Sequence, residues 1–204
     1  MLLRGCGLAL RRGRAWLFRG LDLQVARGQL LWLRGANGSG KTSLLRVLVG
    51  LTRPDAGELT RDALAPAPLY IGHAPALKDD LSAHEALTFL ARLHGGSCGD
   101  GDVEQALQRL QVQQCSRRGV RTLSQGQRRR VALARLALPS EAALWVLDEP
   151  LDALDLAGTQ TVLALLREHL QRGGGAVMTS HIPFELPGLT LQVLDLDRGA
   201  NHGG

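Results

Sequence analysis

The sequence predicts an α/β fold built on a mostly parallel sheet, and three observations predict it. Short apolar runs alternate with helix-length segments at both ends of the chain, the pattern of strands joined by crossover helices. The run Leu30-Leu31-Trp32-Leu33 leads into Gly35-Ala36-Asn37-Gly38-Ser39-Gly40-Lys41-Thr42, a complete G-x-x-x-x-G-K-[ST] phosphate loop. The chain of 204 residues, 45% hydrophobic and 21% charged, can bury one core with at most a subdomain.

Each element follows in order. Leu30 to Leu33 reads as a buried strand, and Thr42 to Leu51 as a helix stopped by Gly50, so a polyphosphate would sit at a helix N-terminus. Glycines 35, 38 and 40 let successive N–H groups turn inward around it. Lys41 and Thr42 supply an ammonium and a magnesium-binding hydroxyl. The chain takes nearly all its positive charge from arginine, Lys41 and Lys78 excepted, and a compact ammonium suits a crowded cradle. Arg53-Pro54-Asp55-Ala56-Gly57 marks a turn, followed by short strands at Glu58–Thr60 and Leu69–Ile71.

The middle of the chain changes character. Ser82-Ala83-His84-Glu85 is a capping box opening a helix through Leu87, Leu90 and Leu93 that Gly95-Gly96 would end. A loop over Gly95–Asp102 and a helix over Val103–Leu110 come next. A helical subdomain is therefore expected over about 75–138, within a single domain spanning 1–204. Alternation then resumes with a strand at Ala143–Leu147, a helix at Leu156–Gln171 stopped by glycines 173 to 175, and strands at Ala176–Thr179 and Leu191–Leu194. The tail from Gly199 is expected to fray.

Composition excludes several function classes. No apolar stretch approaches the roughly 20 residues a membrane-spanning helix needs, so transported material would pass through partner subunits. The N-terminus is apolar before it turns basic at Arg11, Arg12 and Arg14, the reverse of a signal peptide, which predicts a cytoplasmic location. Cys6, Cys98 and Cys115 are odd in number and widely spaced, supporting neither a disulfide framework nor a zinc site. Net charge is +5, but no basic run is interleaved with aromatics, so the arginines read as a solvated surface and no nucleic-acid partner is expected.

Hydrolysis of a nucleoside triphosphate needs a phosphate cradle, a metal, a group that orients water and positive charge around the transferred phosphoryl. Asp148, ending the apolar strand, is positioned to hold Mg²⁺ with Thr42, and Glu149 beside it to polarise water. Alone, an Asp-Glu pair after a strand would be a weak signal; after a phosphate loop it is strong.

Leu123-Ser124-Gln125-Gly126-Gln127, followed by the arginine-rich helix Arg128–Leu136, resembles the signature motif of ATP-binding cassette (ABC) ATPases. The resemblance implies a RecA-like phosphate-loop core with a helical signature subdomain and a small N-terminal antiparallel β region. It also implies a head-to-tail homodimer that sandwiches two ATP molecules, with Ser124, Gly126 and Gln127 completing the partner's site. Asp155, in Asp152-Ala153-Leu154-Asp155, resembles the D-loop aspartate at that interface, and His181, in Thr179-Ser180-His181, the switch histidine that contacts the γ-phosphate and Glu149.

Two positions depart from the family. Where its glutamine is expected, in Tyr70-Ile71-Gly72-His73-Ala74-Pro75, this chain has Ala74, with His73 adjacent. No adenine-stacking aromatic stands at its usual place: Arg12 or Arg14 falls near it and Trp16 lies a few residues on.

Within the ABC ATPases, the stretches Tyr70–Leu87, Leu123–Leu136 and Leu144–Asp155 resemble the ATP-binding subunits of the haem exporters of cytochrome c biogenesis, the CcmA family. This implies ATP and Mg²⁺ as cofactors, CcmB- and CcmC-like membrane permease subunits as partners, a peripheral location on the cytoplasmic face of the bacterial inner membrane, and a haem cargo that does not touch the ATPase. An ATPase subunit of another small-substrate exporter, a soluble non-transport ABC ATPase and a nucleotide-sensing subunit that hardly hydrolyses ATP remain open alternatives.

Overall fold

The computed structural model describes residues 1–93 and 98–199; the Gly95-Gly96 helix stop and the tail from 200 lie outside them. The elements run β1 (Leu3–Arg12), β2 (Ala15–Val25), β3 (Gln29–Arg34), α1 (Lys41–Leu48), β4 (Ala56–Arg61), β5 (Leu69–Ile71), α2 (Ala83–Leu93), α3 (Asp100–Arg109), α4 (Gln125–Leu133), β6 (Leu144–Leu147), α5 (Leu156–Gln171), β7 (Gly175–Thr179), β8 (Thr190–Asp195) and α6 (Leu196–Gly199). They fall into two compact units. One takes Met1–Tyr70, Ala142–Glu149 and the chain from His169; the other takes Ile71–Glu141 and Pro150–Glu168.

In the first unit, β2, β1 and β4 form an antiparallel sheet in that order, the small N-terminal β region expected. Strand β1 shows how its register is set. Leu3 and Gly5 are buried, then the pairing shifts between Gly5 and Leu8, and Leu8, Ala9 and Leu10 are all buried. One extra residue in the ladder at this shift keeps both Leu3 and Leu8, an odd and an even position, in the core.

The second sheet has the order β5-β6-β7-β3-β8, with β3 parallel to β7 and β8, and β6 parallel to β7. Every residue of β6 and β7 is buried, as expected for inner strands of a parallel sheet covered on both faces. Helix α1 packs Leu44, Leu45, Val47 and Leu48 into the same core as Leu31, Leu33, Val146 and Val177. This order sets the C-terminal ends of β3, β7 and β6 side by side, where ligand sites of such sheets form.

The second unit is helical. The capping box is made: the Ser82 amide and hydroxyl donate to Glu85 Oε2 at 2.8 Å each, and the Glu85 amide donates to Ser82 Oγ at 3.2 Å. These bonds stabilise the ionised carboxylate and hold the Glu85 pKa below the usual carboxylate range. Leu87 is fully buried, so Leu87→Ala would cost about 2–5 kcal/mol. Helix α3 begins three residues earlier than expected. Gly99 donates its amide to Asp102 Oδ2 at 2.9 Å, and Asp100 and Asp102 place negative charge in the first turn, so residues read as loop extend the helix.

Candidate functional site

The loop 35–42 joins β3 to α1 as expected. Gly35 adopts φ 147° and Gly40 φ 99°, and a Cβ on Gly40 would lie 3.0 Å from Leu17 Cβ, so β2 runs against the loop and leaves no room for a side chain. Lys41 is buried, with Nζ donating to the carbonyls of Gly35 at 2.7 Å and Ala36 at 3.0 Å. Ser39 Oγ is buried and has no hydrogen-bond partner among the described residues, and Asn37 and Gly38 are exposed at the loop's tip.

Thr42 turns toward the end of β6, its hydroxyl donating to Asp148 Oδ2 at 2.8 Å. Asp148 and Glu149 are 2% and 7% exposed. Glu149 sits at φ 49°, a left-handed conformation that costs a non-glycine residue free energy and is held only where surrounding contacts enforce it. Two such contacts are visible. The Glu149 amide donates to Thr179 Oγ1 at 2.8 Å, and the Glu149 carboxylate accepts from the His181 amide at 3.0 Å. Nε2 of His181 lies 3.4 Å from Glu149 Oε1, while half of the His181 side chain remains open to solvent. The Tyr70 phenol has its pKa pushed up, first by burial and second by the Asp148 charge, with Arg46 acting in the opposite sense.

The residues of the signature stretch lie in the other unit. Ser124 caps α4, accepting from the Gln127 amide at 3.2 Å and donating its own amide to Gln127 Oε1 at 3.0 Å. Gly126 sits close enough to the Ala153 carbonyl that an added Cβ would lie 3.4 Å from it. Asp155 accepts from Arg130 Nη2 at 2.5 Å and from the Gly158 amide at 2.8 Å, which caps α5.

The arginine run corrects the solvated-surface reading. Arg129 is 4% exposed and donates from Nη1 to the carbonyls of Gly72 at 2.9 Å and His73 at 3.2 Å, while Arg135 is 6% exposed and burial pulls its pKa down to about 10. His73 and Ala74 are exposed. Trp16 is 44% exposed, with the guanidinium groups of Arg11 and Arg19 at 4.8 and 5.4 Å from its ring centroid.

Sequence reasoning gave no role to Thr179 and did not single out Asp197. The Thr179 hydroxyl, fully buried, bridges Asp148 and Glu149. Asp197 on α6 accepts the Ala36 amide at 2.8 Å, so Ala36 is held at its carbonyl by Lys41 and at its amide by Asp197. Thr179 lay inside a stretch already quoted; nothing about an aspartate after the last strand distinguishes Asp197 in the sequence.

The family model described as ABC transporter matches residues 18–152, from β2 through the Asp148-Glu149 pair. The chain belongs to the ABC transporter family. As a cassette of this family it binds ATP and hydrolyses it. It is 46% identical over 196 residues to the cytochrome c biogenesis ATP-binding export protein CcmA 2 of Cupriavidus metallidurans, covering 91% of this chain and 92% of that one. It is 44% identical over 207 residues to the CcmA of Pseudomonas syringae pv. syringae, covering 97% and 95%. Among solved structures, the dimeric bacterial ABC transporter cassette MJ0796 superposes with a TM-score of 0.80 at 19% identity, covering 96% of this chain and 95% of that one, which shows the shared cassette fold.

Proposed function

We propose that this cassette is the ATP-hydrolysing subunit of an exporter serving c-type cytochrome biogenesis, with haem as the cargo of its membrane partners. The observation that carries the catalytic part is the hydrogen-bonded series from Thr42 through Asp148, Thr179 and Glu149 to His181, which joins the phosphate loop to the ends of β6 and β7. The identity of 40–46% to export proteins of cytochrome c biogenesis supports the cargo assignment.

The donor set fits Mg²⁺. Thr42 and Asp148 offer a hydroxyl and a carboxylate, hard oxygen ligands in contact with each other beside the phosphate loop, and this ion binds through one or two such groups plus phosphate oxygens and water. Bound there, Mg²⁺ would neutralise charge on the β- and γ-phosphates. The 35–42 amides and the Lys41 ammonium hold the phosphates, Glu149 accepts a hydrogen bond from the attacking water, and His181 holds Glu149 and reaches the γ-phosphate. Ser124, Gly126, Gln127 and Asp155 would act on the site of a second copy, in a homodimer closed by two ATP molecules.

The same reading makes the helical unit the part that carries the signature stretch, and makes the protein a peripheral subunit on the cytoplasmic face of the inner membrane, bound to CcmB- and CcmC-like permeases. No described helix is long and apolar enough to cross a membrane. The test is steady-state ATP turnover of wild type, Lys41→Ala and Glu149→Gln with and without Mg²⁺, alongside co-purification from native membranes. Glu149→Gln should bind ATP, fail to turn over and accumulate as a dimer. Undiminished hydrolysis by Glu149→Gln would overturn the assignment of the base, and recovery of unrelated membrane subunits the assignment of the cargo.

A further inference from the structure

We infer that Thr179 is a positioning residue for hydrolysis: its hydroxyl is a clamp, bonded to both residues, that sets the metal-side carboxylate and the water-side carboxylate relative to each other. The inference rests on the reading of Asp148 and Glu149 just given.

Thr179 ends β7 beside the end of β6, where the register pairs Leu147 with Met178. It is completely buried. Its hydroxyl has one proton to give and lone pairs to receive, and both capacities are used across the same junction. It donates to Asp148 Oδ1 at 2.9 Å and accepts the Glu149 amide at 2.8 Å. The other Asp148 oxygen accepts from Thr42, so the carboxylate is fixed at both ends and its plane cannot rotate freely.

The bond to the Glu149 amide has a second effect. Glu149 is at φ 49°, and an amide anchored by a buried acceptor stabilises that conformation against relaxation to negative φ. Relaxation would swing the Glu149 carboxylate away from the His181 amide that it accepts at 3.0 Å. Threonine is suited to the position. Its β-branch restricts χ1 on a strand, so the hydroxyl is presented in one direction at little further entropic cost. Valine has the same shape and neither hydrogen-bonding capacity.

The test compares Thr179→Val and Thr179→Ser in the full-length protein, with ATP and Mg²⁺, and Glu149→Gln as control. Thr179→Val should lower kcat about 10- to 100-fold and raise the Mg²⁺ concentration needed for half-maximal turnover, while the Kd for ATP changes less than about twofold. Thr179→Ser should recover kcat to within about threefold of wild type. If Thr179→Val yields too little folded protein, Thr179→Cys, a weak donor of similar size, supplies the same comparison and should turn over more slowly than the serine variant. Wild-type kcat in Thr179→Val, a loss of ATP binding in proportion to kcat, or a serine variant as slow as the valine one would each overturn the clamp. Full hydrolysis by Glu149→Gln would instead overturn the assignment of the base.

Discussion

The Thr42 hydroxyl meets Asp148 Oδ2 at 2.8 Å although 106 positions separate the two residues in the chain. Thr42 lies in the first turn of α1 and Asp148 follows β6, so the contact exists only because α1 packs on the sheet in which β6 lies between β5 and β7.

The buried charge of Asp148 is readable through Tyr70, the only tyrosine in the chain. Burial is the larger cause of its raised pKa and Asp148 the next. Asp148→Asn should therefore lower the Tyr70 pKa, and should reduce ATP turnover at least about 100-fold. A phenolate absorbance titration of both proteins checks the first effect. An unchanged titration would mean that Asp148 does not act on the phenol.

If two copies share each site, damage can be distributed between them. Mixing Lys41→Ala with Ser124→Arg subunits should produce heterodimers with one intact and one doubly damaged site. Turnover of the mixture should exceed that of either variant alone by at least about fivefold at equal concentration. A mixture no more active than its components would count against the shared site.

His169 is expected to control stability in mild acid. It is buried, stacks on Trp145 with ring centroids 3.9 Å apart and planes within 6°, and approaches the Gly175 carbonyl at 3.1 Å through Nε2. Burial lowers its pKa from 6.5 to about 4, against the opposing effect of the carbonyls of Gly175 and Ala143 and with a further lowering from Arg172. Below about 6.5 the unfolded chain takes up a proton that the folded protein refuses, so stability falls as pH falls toward 4, by at most about 1.4 kcal/mol per pH unit from this residue. His169→Phe keeps the ring stack and should flatten that slope by one proton. Urea unfolding at several pH values between 7.5 and 4.5 measures it, and parallel slopes for the two proteins would refute the assignment.

Legibility followed the range over which each residue acts. Helix α5 has the bounds expected of it, Leu156–Gln171, because its glycine stop is adjacent in sequence and Gly173 adopts φ 85°. The loop 35–42 was readable because its spacing is local. Arg129 and Arg135 were not, since a sequence displays their charge but not the carbonyls or the burial that tertiary packing brings to them. Thr179 and Asp197 failed for the same reason: an ordinary hydroxyl and an ordinary carboxylate gain their roles only from neighbours that lie 30 and 161 positions away.

The Asp197 brace separates acceptor from charge. Asp197→Asn retains an oxygen for the Ala36 amide, whereas Asp197→Ala does not. The KM for ATP of the alanine variant should exceed that of the asparagine variant by about two- to fivefold, and amide exchange within residues 35–40 should be faster in the alanine variant. Equal KM and equal exchange in the two variants would show that the brace has no influence on the loop.

Arg129 grips the backbone carbonyls of Gly72 and His73. Such a tether is blind to mutation at the codons it spans. Substituting the side chains at 73 and 74 should therefore leave the backbone they hang from moored to the signature helix, whichever residues stand there.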